Sequence, residues 1–332
     1  MSAPLDTLVR PVRLLAAGGT IAMGGAQAVP ALDAEGLVAA VPALGSVRSL
    51  SAETVLGLPS AHLTLADALA LAKRAVEAAR VGEGVVISTG TDTLEEVAVL
   101  CALLHDGEPP IVVTGANRPA SFPGADGPAN LGDAVAVAGC VAAAGLGAVV
   151  VFGGEIHDAM TVRKVDSTSP AAFGSPVSGP LGRVVEARVW LHARPARRVA
   201  PPLSVDALEH RVEIVSPGLG DDGSLLRSLA SAADGVVLVA FGAGHLSPGI
   251  LAALRQAVAR LPVVITCRPD RGSMLVDTYG FEGAERDVRA SGALCAPFLS
   301  PAAARMALLC CLGAGLDRAG MDAVLAPWDV AI

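Results

Sequence analysis

Short apolar runs rich in Val and Ile recur along the chain, and each ends at a glycine or a small polar residue. They are continuous rather than alternating, which is typical of parallel strands that are buried on both faces. Helix-length segments separate most of them, so the pattern predicts an α/β fold with helices on both faces of a largely parallel sheet. The predicted strands are Val12–Ala17, Gly84–Ser88, Ile111–Thr114, Ala148–Phe152, Val236–Phe241 and Val263–Cys267. The predicted helices are Leu65–Ala79, Thr93–Leu104, Gly132–Ala144 and Gly249–Arg260.

A change of composition near the middle of the chain predicts two domains. Arg194–Pro202 holds three arginines and three prolines without apolar periodicity, as inter-domain linkers do. A basic run of this kind also suits an acidic partner, but a solvated linker is the expectation. We therefore expect a larger, mainly parallel, flavodoxin-like N-terminal domain over residues 1–195. A linker follows over 196–211, and a smaller C-terminal α/β domain with a parallel sheet over 212–332.

Charge and cysteine usage argue against several classes of protein. The net charge is −8, which provides no basic field for nucleic acid. The six cysteines include no C-x-x-C pair and no Cys/His group at zinc spacing. We expect no metal, no cofactor and no nucleic-acid partner. Buried free thiols in a reducing compartment are the expectation, which places the protein in the cytoplasm.

Two apolar stretches imitate targeting or membrane segments. Arg13–Met23 resembles a signal peptide, but Gly18–Gly19 interrupts it, and a buried strand that enters a turn fits better. Leu131–Phe152 is about as long as a membrane span. Asp133 lies inside it, and Gly145–Gly147 divides it into a helix-like and a strand-like half. We therefore expect no membrane contact.

The first polar segment, Ala17–Ala22, directly follows the first predicted strand, where open parallel sheets collect their ligands. Its two glycines permit a sharp turn and bring main-chain N–H groups close to a ligand, while Thr20 leaves a hydroxyl at the bend. A dinucleotide or phosphate turn is the alternative. However, this segment does not have the G-x-G-x-x-G pattern, and no Walker lysine follows it.

The second polar segment, Ser88–Glu96, follows the strand Gly84–Ser88 and reads Ser-Thr-Gly-Thr-Asp-Thr-Leu-Glu-Glu. A Thr or Asp cap with Glu95 or Glu96 about three residues later predicts a capping box. Capping does not require three threonines and an aspartate around one glycine. The density of hydroxyls and carboxylate therefore indicates a site for a small polar ligand.

The third segment, Thr161–Ser169, contains one of only two lysines in the chain, Lys73 and Lys164. Basic charge is otherwise arginine, which cannot be deprotonated in a protein, whereas a lysine in suitable surroundings can act as a base. The alternative is an ordinary solvated lysine. A hydroxyl nucleophile, a base and main-chain N–H donors together suit covalent acyl transfer. No Gly-x-Ser-x-Gly elbow competes with this interpretation.

These motifs resemble the bacterial-type L-asparaginase family of the glutaminase-asparaginase superfamily. Gly18–Ala22 matches its Gly-Gly-Thr-Ile-Ala signature, and Gly90–Glu96 matches its Gly-Thr-Asp-Thr-Leu/Met-Glu-Glu signature. Thr114–Pro119 with Asp126–Asn130 resembles the family's Gly-Ala-x-Arg-Pro…Asp-Gly-Pro-x-Asn stretch. The resemblance implies an amidohydrolase that converts L-asparagine and water to L-aspartate and ammonia through an acyl-enzyme, without metal or cofactor.

The resemblance also implies catalytic roles. Thr20 resembles the threonine that attacks the side-chain amide. Thr91, Asp92 and Lys164 resemble a second triad, in which Lys164 is the base and Thr91 the hydroxyl that it polarises. Asp92 is expected to bind the α-ammonium of the substrate as well.

Further residues are expected to bind substrate. Ser60 falls where the family holds the α-carboxylate, Ala116 lies beside the leaving amide, and Gly19 belongs to the same set. Family members pair the N- and C-terminal domains of neighbouring chains in dimers and tetramers. The resemblance therefore implies a homo-oligomer with sites near subunit interfaces.

The sequence departs from the family pattern in three places. The loop Met23–Pro30 lacks the tyrosine that the family pairs with its nucleophile, Thr89 replaces a histidine, and Ser60 is followed by Ala-His. The chain's single tyrosine is Tyr279. We hypothesise that Tyr279 of a partner chain approaches the substrate or Thr20 and partly replaces the missing loop tyrosine. The alternative is a partly buried tyrosine with one hydrogen bond. His245 allows the same two interpretations.

Two other functions remain open at this point. One is an amidase of the same superfamily that acts on glutamine or a larger amide. The other is a catalytically silent relative that binds an amino acid.

Overall fold

The computed structural model describes residues 10–25, 29–45, 47, 49–105, 107–195 and 201–329. The chain divides into two compact units, Met1–Ala196 and Arg197–Ile332. Each unit has a sheet covered by helices, so the predicted fold of two α/β domains is confirmed. The predicted linker begins with residues 196–200, which lie outside the described residues. No helix within the described ranges is long and apolar enough to cross a bilayer.

The N-terminal unit is built around one eight-stranded sheet. Its strands and the short hairpins beside it are β1 (Val12–Gly18), β2 (Met23–Gly24), β3 (Val29–Pro30), β4 (Leu50–Leu58), β5 (Gly84–Ser88), β6 (Ile111–Thr114), β7 (Ala148–Phe152), β8 (Glu155–Asp158), β9 (Arg163–Lys164), β10 (Phe173–Gly174), β11 (Gly182–Val185) and β12 (Arg188–Leu191). Its helices are α1 (Ala34–Ala39), α2 (Leu65–Arg80), α3 (Leu94–Leu104) and α4 (Gly127–Gly139).

The sheet is parallel in one part and antiparallel in the other. Its order is β12-β11-β8-β7-β6-β5-β1-β4. Five neighbouring strands of the sheet, β4, β1, β5, β6 and β7, are parallel. They have the flavodoxin-like order, in which the first of them along the chain, β1, lies between the second, β4, and the third, β5. β8, β11 and β12 extend the sheet as antiparallel strands, which the sequence did not predict. The N-terminal sheet is therefore mixed.

The parallel strands form as predicted because they lie inside the domain. Every residue of β5, β6 and β7 is buried. Helices α1 and α4 share one core with alternate residues of these strands, among them Val86, Val112 and Val149. Helices α2 and α3 pack on the sheet as well and contact each other. Because helices cover both faces of the sheet, every side chain of these strands is buried, which explains their continuous apolar runs.

Helix α4 lies about five residues before its predicted position. The apolar pattern predicted Gly132–Ala144, but the helix spans Gly127–Gly139 and is followed by a 3₁₀ turn, Val141–Ala143. Pro128 stands in its first turn, where a proline's missing N–H costs nothing. The apolar run continues past the helix because the turn is partly buried too, at Ala143.

The C-terminal unit has a four-stranded, all-parallel sheet in the order β13-β14-β15-β16. These strands are β13 (Val212–Val215), β14 (Gly235–Ala240), β15 (Val263–Cys267) and β16 (Leu294–Cys295). The helices are α5 (Ser224–Leu229), α6 (Pro248–Ala257), α7 (Glu285–Arg289), α8 (Pro301–Gly313) and α9 (Arg318–Leu325). Helix α6 packs into a core with β14 and β15, and α8 lies along β13, β14 and β15.

All six cysteines are free thiols, and four of them are buried. Burial raises the pKa of Cys101 to about 12 and that of Cys295 to about 11. Both groups therefore stay protonated near neutral pH and pack as small apolar side chains.

Candidate active site

The predicted site residues of the N-terminal domain gather at one edge of the sheet. Thr20 follows β1, Thr91 follows β5 and Ala116 follows β6. These three strands are parallel neighbours, so their carboxyl ends meet at the same edge. Lys164 comes from the short strand β9, which pairs with β10 outside the main sheet.

Glycines bring the first two motifs into direct contact. Gly19 has φ 81°, a conformation that favours glycine, and its N–H donates to the carbonyl of Leu58 at 3.0 Å. A Cβ added to Gly19 would lie 2.1 Å from the main-chain nitrogen of Gly90. A Cβ added to Gly90 would lie 2.5 Å from Oγ of Ser60. The turn that carries Thr20 therefore packs backbone against backbone on the second motif, and the side chain of Ser60 packs against the main chain of that motif.

Lys164 reaches the second motif with its side chain. Its Nζ donates to Oγ1 of Thr91 at 2.8 Å and to Oδ1 of Asp92 at 3.2 Å. The Lys164 side chain is 22% exposed and that of Asp92 is 65% exposed. Thr91 is buried beneath them. The arrangement leaves the Asp92 carboxylate open to a ligand while the amine is held against the Thr91 hydroxyl.

The side chain of Ser60 lies beside the main chain of Asp92. Its Oγ accepts from the main-chain N–H of Asp92 at 3.2 Å. Its carbonyl accepts from the hydroxyl of Thr93 at 3.1 Å. Ser60 is buried, whereas the following Ala61 and His62 are exposed.

The capping box predicted for helix α3 is wrong. Thr93 is the N-cap residue, but its side chain makes no cap hydrogen bond and donates to Ser60 instead. The carboxylate of Glu95 turns to another part of the chain, where Oε2 accepts from the main-chain N–H of Lys164 at 3.1 Å. Sequence reasoning missed Glu95 because a glutamate at this position also fits an ordinary helix start.

Burial raises the pKa of Glu95 to about 7, and the negative charge of Glu96 adds to the rise. The N–H of Lys164 and the charges of Arg163 and Lys164 act in the opposite direction. Glu95 therefore titrates near neutral pH, well above an exposed glutamate.

This titration makes the stability of the protein depend on pH. The folded state binds the Glu95 proton more tightly than the unfolded state, so the contribution is full below about pH 4.5 and is lost as pH rises through about 7. Glu95→Gln does not titrate. Between pH 4.5 and 8 the free energy of unfolding should shift in favour of the variant by roughly 3 kcal/mol relative to wild type. Urea titrations at several pH values measure the difference. Parallel curves for the two proteins would contradict the assignment.

A hydrogen-bonded network fixes the loop that carries Ala116. The carboxylate of Asp126 accepts from the N–H groups of Asn117 and Arg118 at 3.0 and 2.8 Å. Asn130, one helical turn later, donates to the carbonyl of Gly115 and accepts from Gly153 N–H, both at 3.0 Å. These bonds join the ends of β6 and β7. The sequence contained both residues as a matched motif, but it indicated no role for either.

Tyr279 belongs to the C-terminal domain, where it sits in an aromatic group with His245 and Phe281. Its ring centroid lies 5.0 Å from that of His245 and 5.8 Å from that of Phe281. The buried carboxylate of Glu285 accepts from the Tyr279 N–H at 2.7 Å and contacts Nε2 of His245 at 3.2 Å. Tyr279 is 44% exposed, and its approach to a partner's site stays a prediction.

Residues 26–28, in the loop that lacks the family tyrosine, lie outside the described residues. In the part of the chain that is described, no group of three or more His, Cys, Asp or Glu side chains is arranged to hold a metal ion.

The chain matches two family models over most of its length. Residues 11–197 match the model described as "Asparaginase, N-terminal". Residues 211–325 match the model described as "Glutaminase/Asparaginase C-terminal domain".

Related proteins agree with these matches. The chain is 38% identical to "Probable L-asparaginase" of Deinococcus radiodurans over 92% of this chain and 94% of that protein. It is 34% identical to "Glutaminase-asparaginase" of Pseudomonas fluorescens over 76% of this chain and 67% of that protein. The crystal structure of probable cytoplasmic L-asparaginase from Campylobacter jejuni superposes with a TM-score of 0.84 at 28% identity. The superposition covers 96% of this chain and 99% of the Campylobacter chain. The protein therefore belongs to the asparaginase family.

Proposed function

We propose that the protein is an L-asparaginase, which hydrolyses the side-chain amide of L-asparagine to L-aspartate and ammonia. The observation that carries the proposal is the 2.8 Å contact between Nζ of Lys164 and Oγ1 of Thr91, beside the exposed carboxylate of Asp92. A base, a hydroxyl and an anionic anchor thus lie next to the turn that carries Thr20. The printed names of the relatives from Deinococcus and Campylobacter support the choice of asparagine.

In the proposed reaction the Oγ1 of Thr20 bonds to the amide carbon and the C–N bond breaks. The amide nitrogen takes the proton that the Thr20 hydroxyl gives up and leaves as ammonia. Water then attacks the resulting ester, which releases aspartate and restores the Thr20 hydroxyl. When the Lys164 amine is neutral, the Thr91 hydroxyl donates to it across the same 2.8 Å contact, so the pair moves protons during both steps.

Two residues orient the substrate in this proposal. Asp92 binds the α-ammonium, because its carboxylate is exposed at the mouth of the site. Ser60 binds the α-carboxylate, because its Oγ lies next to the Asp92 main chain. Ala116 and Gly19 line the amide end of the substrate with main-chain atoms.

Ammonia release from asparagine, glutamine and β-aspartyl amides, measured side by side, tests the proposal. Asparagine is expected to be the preferred substrate. Preference for glutamine or a larger amide would instead indicate another amidase of the superfamily, an alternative that the name of the Pseudomonas relative favours. Calorimetric binding of asparagine without ammonia release would indicate a silent amino-acid-binding relative.

We further propose a cytoplasmic homo-oligomer, a dimer or a tetramer, with sites near its subunit interfaces. The name of the Campylobacter relative supports the compartment. The exposed aromatic side chains Tyr279 and Phe281 support an interface on the C-terminal domain.

Tyr279→Phe tests whether the tyrosine of a partner chain reaches the site. The variant keeps the ring contacts with His245 and Phe281 and loses only the hydroxyl. If that hydroxyl assists Thr20 or the substrate, kcat/KM should fall about tenfold, as for one lost hydrogen bond to a reacting group. Sedimentation confirms that assembly is intact. Unchanged kcat and unchanged KM would contradict a role for Tyr279 in the site.

A further inference from the structure

Two points of contact hold Lys164 against the second motif. At the end of its side chain, Nζ donates to Thr91 and Asp92. At its main chain, the N–H donates to Glu95, which stands four residues after Thr91 in the same segment. Residues 91–95 therefore bind Lys164 both at its main chain and at the end of its side chain.

Strand β9, which carries Lys164, is poorly held by sheet pairing. It consists of two residues and pairs only with the two-residue strand β10. Such a short hairpin fixes a residue less firmly than the interior strands that carry the other motifs. The hydrogen bond to Glu95 adds a constraint on Lys164, whose amine contacts Thr91.

The surroundings of Glu95 do not favour its ionised form, so the ionised carboxylate does not stabilise the fold. The carboxylate is largely buried, and burial raises its pKa to about 7. A buried carboxylate with one main-chain partner stabilises a fold less than an apolar side chain of similar size. Its bond to Lys164 is thus better explained by geometry at the site.

We infer that Glu95 is a positioning residue, which fixes Lys164 against Thr91 by accepting the Lys164 main-chain N–H. The inference rests on the proposed function, since it assigns Lys164 the role of base. Glu95 itself does not touch the substrate.

Two variants separate the acceptor from the volume of the side chain. Glu95→Gln keeps a carbonyl oxygen in reach of the Lys164 N–H, whereas Glu95→Met keeps the length of the side chain and offers only a thioether sulfur, which is a weak acceptor. Small displacements of catalytic groups cost large factors in rate, so Glu95→Met should lower kcat for asparagine about tenfold or more. Glu95→Gln should stay within about threefold of wild type, because the bond persists.

The Michaelis constant separates a positioning role from a general loosening of the fold, because general loosening would change KM as well as kcat. Asp92 and Ser60 bind the substrate in this proposal, and neither is hydrogen-bonded to Glu95. KM should therefore change less than about threefold in both variants while kcat falls only in Glu95→Met. Glu77→Met, an exposed glutamate on α2, is the matched control and should leave kcat unchanged. Wild-type kcat in Glu95→Met, or equal losses in Glu95→Met and Glu95→Gln, would overturn the inference.

A second measurement does not need activity. Because the chain has only Lys73 and Lys164, protein labelled with ¹⁵N-lysine gives two main-chain amide signals, which Lys73→Arg assigns. The charged groups that act on Glu95 are Glu96 on its own helix and Arg163 and Lys164 on β9. The Lys164 amide proton should move with pH near 7 in wild type and in Glu96→Gln, and should stop doing so in Glu95→Gln.

The two measurements distinguish failure of this inference from failure of the proposed function. Wild-type protein that releases no ammonia, with a Lys164 amide that titrates as described, removes the proposed function and leaves the bond intact. An amide that does not respond to Glu95→Gln removes the inference, whatever the activity.

Discussion

Thr20→Ala is expected to lower kcat for asparagine by at least about a hundredfold, because the variant lacks the hydroxyl that forms the acyl-enzyme. The fold should tolerate the change. Thr20 is half-buried and begins a 3₁₀ turn whose main chain is set by Gly18 and Gly19 rather than by the threonine side chain. KM should change little, since Asp92 and Ser60 hold the two charged groups of the substrate in the proposed arrangement.

Thr20→Ser is the matched control, because it restores a hydroxyl at the same position and should recover part of the activity. Mass spectrometry after acid quenching tests the chemistry directly. An aspartyl adduct should appear on the peptide that contains Thr20 in wild type and be absent from Thr20→Ala. Near wild-type turnover in Thr20→Ala would remove the nucleophile assignment.

Lys164→Met is expected to lower kcat by about a hundredfold or more, because the Thr91 hydroxyl loses the amine 2.8 Å away. Methionine has a similar length and no charge. Loss of the ion pair should cost little stability, since the Asp92 side chain is 65% exposed and water replaces the ammonium. Melting temperatures of the two proteins check that expectation.

Lys164→Arg separates a base from a fixed positive charge. Arginine preserves the charge next to Asp92 but cannot give up its proton in a protein. If Lys164 acts as a base, Lys164→Arg should be nearly as inactive as Lys164→Met. Substantial activity in Lys164→Arg would mean that the lysine serves as a cation only.

The sequence predicted the inside of the N-terminal sheet better than its edges. β5, β6 and β7 are buried along their whole length, and a continuous apolar run has few other interpretations. The edge strand β4 alternates partly buried and exposed residues and includes Ser51, Glu53 and Thr54, so it lacked that signal. β8, β11 and β12 are four residues long each and contain charged residues, which hid them in the same way.

The site could be predicted at positions where the proposed reaction requires a particular type of side chain. The rarity of lysine singled out Lys164, and the structure places its amine on Thr91 and Asp92. Glu95 could not be found in this way, because its partner is a main-chain N–H 69 residues away. Main-chain N–H groups are common to nearly all residue types, so the sequence does not indicate which of them forms such a bond. Only the fold reveals which of them a carboxylate meets.

The close packing of Gly19, Gly90 and Ser60 has a consequence for how this enzyme can be altered. Neither glycine has space for a Cβ: one added to Gly19 would meet the main chain of Gly90, and one added to Gly90 would meet the side chain of Ser60. Replacing either glycine would therefore disturb both the turn with the nucleophile and its neighbours. The exposed residues Ala61 and His62 face no such restriction. A mutant library that aims to change the accepted amide should therefore randomise residues 61 and 62 and keep both glycines. Natural divergence of this scaffold towards new substrates is expected to follow the same route.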